Sequence, residues 1–303
     1  MNKYSIIATM DKKEENKFLK LKRYLPKRIY LYYMKKYGKT IYKENVYLGE
    51  KGDTIMLPFT SGEFDELDED YRLSYIEKII KEYDIHHLYV DVNLRKFICK
   101  IDETLIRQYG TILMYMMLPC MLEHVLYDHN IDRKEMRLII IDSGDYKVDY
   151  VLNLLVNDLN YLKIFTDRPE YFNEFVDTIY DNTGLITEPV SSFSEIEDSG
   201  SVIIDLSRNH YRYSGRIVID MESDLSKRQY QNLRNKNTRI IYDVKLSSAN
   251  QEVDNELLGF YLWKNHPFMA EFLDGQNEET KMLPLQDITK ELNLTIEGFS
   301  YLS

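Results

Sequence analysis

Five stretches in the second half of the chain are almost continuously apolar and then stop at an acid or a hydroxyl. They are residues 137–141 (RLIII), 161–166 (YLKIFT), 201–206 (SVIIDL), 216–221 (RIVIDM) and 239–244 (RIIYDV). Unbroken runs of this length, without one-in-two alternation, suit strands covered on both faces. Helical spacing fills the gaps between the first of them. Val148, Val151, Leu152, Leu155 and Val156 mark one amphipathic helix. A second runs from about Pro169 to Asn182, with proline in its first turn and Gly184 as its stop. Buried strands alternating with helices predict a parallel, doubly wound sheet of Rossmann-like type.

The first third is mixed. Residues 28–33 (RIYLYY) are β-rich and predict a strand, and 53–59 (DTIMLPF) predict another that stops near Pro58. Leu73, Ile76, Ile79 and Ile80 give residues 68–83 helical spacing, and 87–92 (HLYVDV) predict a third strand. The expected organisation is an α/β domain over 1–105, a connecting helix over 106–132, and a Rossmann-like domain over 133–250. Residues 251–303 are then a long helix, 253–273, and a tail packing back across the domains.

Composition narrows the classes. With 44% hydrophobic and 29% charged residues among 303, the chain has the make-up of a soluble globular protein. Its 26 tyrosines accompany many Lys, Ile and Asn and only three alanines, the usage of an AT-rich genome, so they are weak evidence for base stacking. The apolar run Thr111 to Leu122 is about half a membrane span and contains Pro119, and no leader peptide is evident. Cys99 and Cys120 lie far apart in no metal-ligand pattern, so no metal is expected and reduced thiols in the cytoplasm are. The net charge of −11 argues against nucleic acid and no membrane partner is expected, while a homodimer is admitted. The charge is uneven: Lys12, Lys13, Lys17, Lys20, Lys22, Arg23, Lys27, Arg28, Lys35, Lys36, Lys39 and Lys43 crowd the start. They form either a solvated face or one for a polyanion or acidic partner.

Several segments, in order, resemble shikimate dehydrogenase. Residues 54–60 (TIMLPFT) are similar to that family's Asn-Val-Thr-x-Pro-x-Lys segment, and 166–170 (TDRPE) to its Asn-Arg-Thr stretch. Residues 240–244 (IIYDV) resemble its last strand, and 256–275 the helix that follows. The resemblance implies a substrate domain ahead of a dinucleotide-binding domain, with NAD or NADP as cofactor. It also implies that Thr60 stands where the family has its catalytic lysine, that Asp91 corresponds to the catalytic aspartate, and that Asn265 corresponds to a substrate-binding glutamine.

A hydroxyl at position 60 supplies neither the charge nor the titratable amine of lysine. A strand-end structural aspartate and an exposed helix asparagine are the competing readings of Asp91 and Asn265. The loop after the first Rossmann-like strand, Asp142-Ser143-Gly144-Asp145, keeps one glycine where a dinucleotide fingerprint needs several for close backbone approach. Its carboxylates would repel a pyrophosphate by on the order of several kcal/mol, and Asp145 is expected to cap the following helix. Ser143 and Gly144 remain the candidate phosphate contacts. Asp167 is placed for an adenosine ribose and Arg168 for a 2′-phosphate, or both simply begin a helix. The expected protein is therefore non-catalytic or repurposed, a binding or scaffold protein with no cofactor. An active NAD(P)-dependent oxidoreductase with a remodelled loop is the first alternative. A polyanion- or protein-binding module using the basic segment is the second.

Overall fold

The computed structural model describes residues 4–10, 25–47, 50–85, 88–90, 92–101, 109–156, 159–192, 202–207, 217–222, 238–249, 251–274 and 285–301. The chain divides into two compact units, Met1–Gln108 and Tyr109–Ser303.

The first unit is built on a four-stranded sheet of order β2-β3-β1-β4. Its strands are β1 (Tyr4–Thr9), β2 (Ile41–Tyr47), β3 (Glu50–Leu57) and β4 (Leu88–Val90). β1 runs parallel to β3 and β4, and β2 pairs antiparallel with β3. Helices α1 (Lys27–Tyr37), α2 (Ser61–Asp65), α3 (Glu69–Glu82) and α4 (Val92–Ile101) complete it. Ile7, Ile55, Leu57, Phe59, Ile76, Leu94 and Ile98 are at the centre of its core. The strand expected over 28–33 is not formed. Those residues lie in α1, which buries Tyr30 and Met34 at i and i+4 and starts directly after Pro26. β-Propensity of a Tyr/Ile-rich run yields here to a 3.6-residue packing period, as tertiary context commonly dictates.

The second unit opens with α5 (Thr111–Asp128), apolar on nearly every face, which makes it a core helix. Then come β5 (Leu138–Ile141), α6 (Lys147–Leu155), β6 (Leu162–Phe165), a 3-10 turn (Pro169–Phe172), α7 (Asn173–Thr183) and β7 (Thr187–Val190). Pro169 opens the 3-10 turn, and Gly184 closes α7 at φ 71°, the left-handed conformation only glycine adopts without cost. β8 (Val202–Asp205), β9 (Ile217–Asp220) and β10 (Arg239–Ser248) follow. The parallel order β7-β6-β5-β8-β9-β10 is 3-2-1-4-5-6 in chain order, the doubly wound Rossmann arrangement. Ile139, Ile141, Ile203, Val218 and Ile240 pack on one face of this sheet, and Leu138, Ile140, Ile204 and Ile219 are equally buried. Both faces are covered, as the apolar runs require.

The remainder departs from a purely parallel sheet. β11 (Gln251–Glu252) and β12 (Leu294–Tyr301) both pair antiparallel with β10. The single helix expected over 253–273 is two, α8 (Asn255–Asn265) and α9 (Pro267–Asp274), because a proline following His266 disfavours helical backbone there. Residues 285–291 form α10 (Leu285–Glu291).

Candidate functional site

In an open α/β sheet a ligand sits at the carboxyl ends of the strands where the winding reverses. Here that point lies between β5 and β8, beside residues 142–147 and the start of α6. Gly144 takes φ +80° in this loop, and a Cβ there would meet nothing within 4 Å, so it serves the turn and not a close approach.

The loop's polar groups are consumed internally. Arg168, which follows β6, folds back onto Asp142 with two bonds, Nε to Oδ2 at 2.8 Å and Nη2 to Oδ1 at 3.0 Å. Thr166 Oγ1 donates to the same carboxylate at 2.7 Å, and so does the Gly144 amide at 2.9 Å. Arg168 Nη2 also donates to the Asp145 carbonyl at 2.8 Å, and its guanidinium lies 4.1 Å from the Tyr171 ring centroid. Only 3% of the Asp142 side chain is exposed, so this fork is nearly desolvated on the acid side and geometrically specific. The bond to Asp142 raises the Arg168 pKa further. Tyr171 in turn donates to Asp149 of α6 at 2.6 Å, and burial followed by this bond raises its hydroxyl pKa.

The helix start is likewise occupied. α6 begins at Lys147 after Tyr146, and Asp145 Oδ1 accepts the Lys147 amide at 3.0 Å. Asp145 thus reaches the first helical N–H from one residue outside the expected capping position. The Lys147 side chain is 4% exposed, and its Nζ binds Glu222 Oε1 at 2.8 Å with Asp145 Oδ2 at 3.9 Å. Tyr115 of α5 donates to that same Glu222 oxygen at 2.9 Å. Burial and then the Glu222 charge push the Tyr115 hydroxyl well above its ordinary value, so it stays a neutral donor. At the neighbouring strand end, Asp205 Oδ1 accepts from both the amide and the hydroxyl of Ser207.

Two loop amides that could hold a phosphate, Gly144 and Lys147, therefore donate to the protein's own carboxylates. The two nearby cations, Arg168 and Lys147, are engaged by Asp142 and Glu222. Of the residues singled out in the sequence, Ser143, Gly144 and Arg168 come together here, with the Ser143 hydroxyl on Asp145. Asp167 is exposed at the turn. Asn265 is the exposed last residue of α8, where its amide bonds back to the Tyr261 carbonyl at 2.9 Å. Asp91 and Lys12 to Arg23 of the basic segment lie outside the described residues.

Thr60, in the first unit, has a structural task. Its side chain accepts the Glu63 amide at 3.4 Å, and Glu63 Oε2 accepts the Thr60 amide at 3.0 Å, a capping box on α2. Thr-x-x-Glu ahead of Phe64 was a sequence signal for this. Thr60→Ala is expected to cost about 1 kcal/mol, read as a lower urea midpoint with unchanged slope. Glu222 and Tyr115 carry no local motif and are brought in only by the tertiary fold. Among the described residues, no group of three or more His, Cys, Asp or Glu is placed to hold a metal ion.

No protein-family model matches the sequence, and no curated protein matches it. Solved structures are similar in chain arrangement at low identity. L-tryptophan dehydrogenase from Nostoc punctiforme is 10% identical over 96% of this chain and 80% of its own, with a TM-score of 0.31. Shikimate 5-dehydrogenase from Listeria monocytogenes is 11% identical over 96% of both chains, with a TM-score of 0.28. A chorismate mutase/shikimate 5-dehydrogenase fusion protein from Clostridium acetobutylicum is 11% identical over 93% of this chain and 99% of its own, with a TM-score of 0.29. The fold assignment itself comes from the 3-2-1-4-5-6 strand order.

Proposed function

We propose that this chain is a cytoplasmic binding or scaffold protein on a Rossmann-like fold, without nicotinamide-dependent redox activity. The observation that carries this reading is the Asp142–Arg168 fork across the loop where a pyrophosphate would lie. A dinucleotide would have to break two charge-assisted bonds and displace the Asp145 carboxylate from the Lys147 amide before gaining any contact of its own. It would then face two acids at short range. The combined cost, on the order of several kcal/mol, is comparable to much of a micromolar binding energy.

Calorimetric titration with NADH and NADPH tests this reading. No saturable binding is expected below about 1 mM, roughly the weak end of useful affinity. A dissociation constant in the low micromolar range would overturn the reading and favour an active oxidoreductase. Lysine at position 60 is no simple route back to such an enzyme, because it would remove the α2 capping box.

A further inference from the structure

We propose that the outer face of α1 is a peripheral contact for an anionic lipid surface. α1 is buried through Tyr30 and Met34, while Ile29 (45% exposed), Tyr32 (60%), Tyr33 (46%) and Tyr37 (53%) are solvated along one flank and the outer side. Ile29, Tyr33 and Tyr37 are spaced at i, i+4 and i+8, one stripe on a helix surface. A helix so solvated on its outer side ordinarily carries polar residues there. This one carries, beside Arg28 and Lys36, an isoleucine and three tyrosines whose apolar rings end in hydroxyls, the chemistry that suits a headgroup boundary.

Charge selects the partner. Residues 27–47 hold six Lys or Arg and one acidic residue, in a chain whose net charge is −11. Lys27 is paired with Glu66 and Lys35 with Asp68. Arg28, Lys36 and Lys39 are exposed beside the tyrosines. A nucleic acid fits less well, because stacking needs open ring faces. Tyr33 stacks on Tyr37 at 5.9 Å, Tyr32 meets Tyr33 edge-on at 6.0 Å, and the Lys36 ammonium lies 5.4 Å from the Tyr37 centroid. Ile29 offers a base nothing to stack on. The contact lies on a membrane and does not cross it, since α1 has 11 residues and no described helix is long and apolar enough to span one.

The test is co-sedimentation of the full chain with vesicles of phosphatidylcholine alone or mixed with phosphatidylserine. With Arg28, Lys36 and Lys39 attracted to such a surface and the acidic body opposing them, the mixed vesicles should bind at least about tenfold better at low salt. Binding should be lost near 0.5 M salt, where screening shortens to about 4 Å. Tyr32→Ser with Tyr33→Ser and Tyr37→Ser should abolish it, and so should Arg28→Glu with Lys36→Glu. Tyr180→Ser, an exposed tyrosine of α7, should leave it unchanged, and circular dichroism checks that each variant is folded. Equal partition into both vesicle types, or binding that survives the charge reversals, would overturn the proposal. Preferential binding to an oligothymidylate, or a stripe whose only effect is on self-association, would do so too.

Discussion

Glu222→Ala should destabilise the second unit by about 3 kcal/mol, the lower end of what removing one partner of a buried ion pair costs. The variant would leave the Lys147 ammonium, 4% exposed, with Asp145 at 3.9 Å as its remaining carboxylate among the described residues, and Tyr115 without its Glu222 acceptor. The magnitude comes from the stranded charge and not from the worth of the bond. Lys147→Met combined with Glu222→Leu should therefore be far milder, near 1 kcal/mol, since apolar residues of similar volume commonly replace such pairs with little loss. Urea unfolding of Lys147→Met, of Glu222→Leu and of the double supplies the cycle. Strictly additive effects would show that Lys147 and Glu222 are not coupled as described.

Gly259→Ala is expected to cost at least about 3 kcal/mol, at the upper end for overpacking. A Cβ at position 259 would sit 2.2 Å from the Tyr109 carbonyl oxygen and 2.9 Å from the Gly110 amide nitrogen. These are backbone atoms at the start of α5, so no rotamer change relieves the overlap. Helices α5 and α8 would have to part, loosening the ring cluster in which Tyr109 meets Phe260 at 5.2 Å and Trp263 at 5.4 Å. For a unit of this size the melting temperature should fall by roughly 10 °C. Alanine is otherwise the better helix former by about 1 kcal/mol, so a stabilised variant would contradict the close approach directly.

The parallel sheet was legible because a strand buried on both faces must be apolar throughout, and RLIII, SVIIDL and RIVIDM are. The short β7 was not, because Thr187-Glu-Pro-Val190 has neither an apolar run nor alternation, only its place beside β6. α1 was misread because its tyrosines suit a strand as readily as a helix, and the choice depends on which side chains find a core. At the candidate site the sequence showed the eroded glycine pattern and the excess of acid in the loop. It could not show that Arg168, 26 positions on, neutralises Asp142 instead of waiting for a phosphate. Spacing along the chain locates Arg168 at the right strand end, and only the fold says which way it turns. The same holds for Lys147 and Glu222, joined by β9 reaching the switch point.

The strand order also sets how the second unit can assemble. β5 is the first strand of its sheet in sequence and lies at the centre, with Leu138 facing Leu162 on one side and Val202 on the other. Its pairing with β6 closes a short loop and can form early. Its other edge waits for β8, much further along the chain, and such non-local pairings form slowly. Until then Leu-Ile-Ile-Ile presents an open row of amides and carbonyls on a segment of high β-propensity and no charge, the kind of edge on which chains aggregate. Refolding yield should thus be limited by chain concentration during the wait for β8, even where the finished sheet is stable.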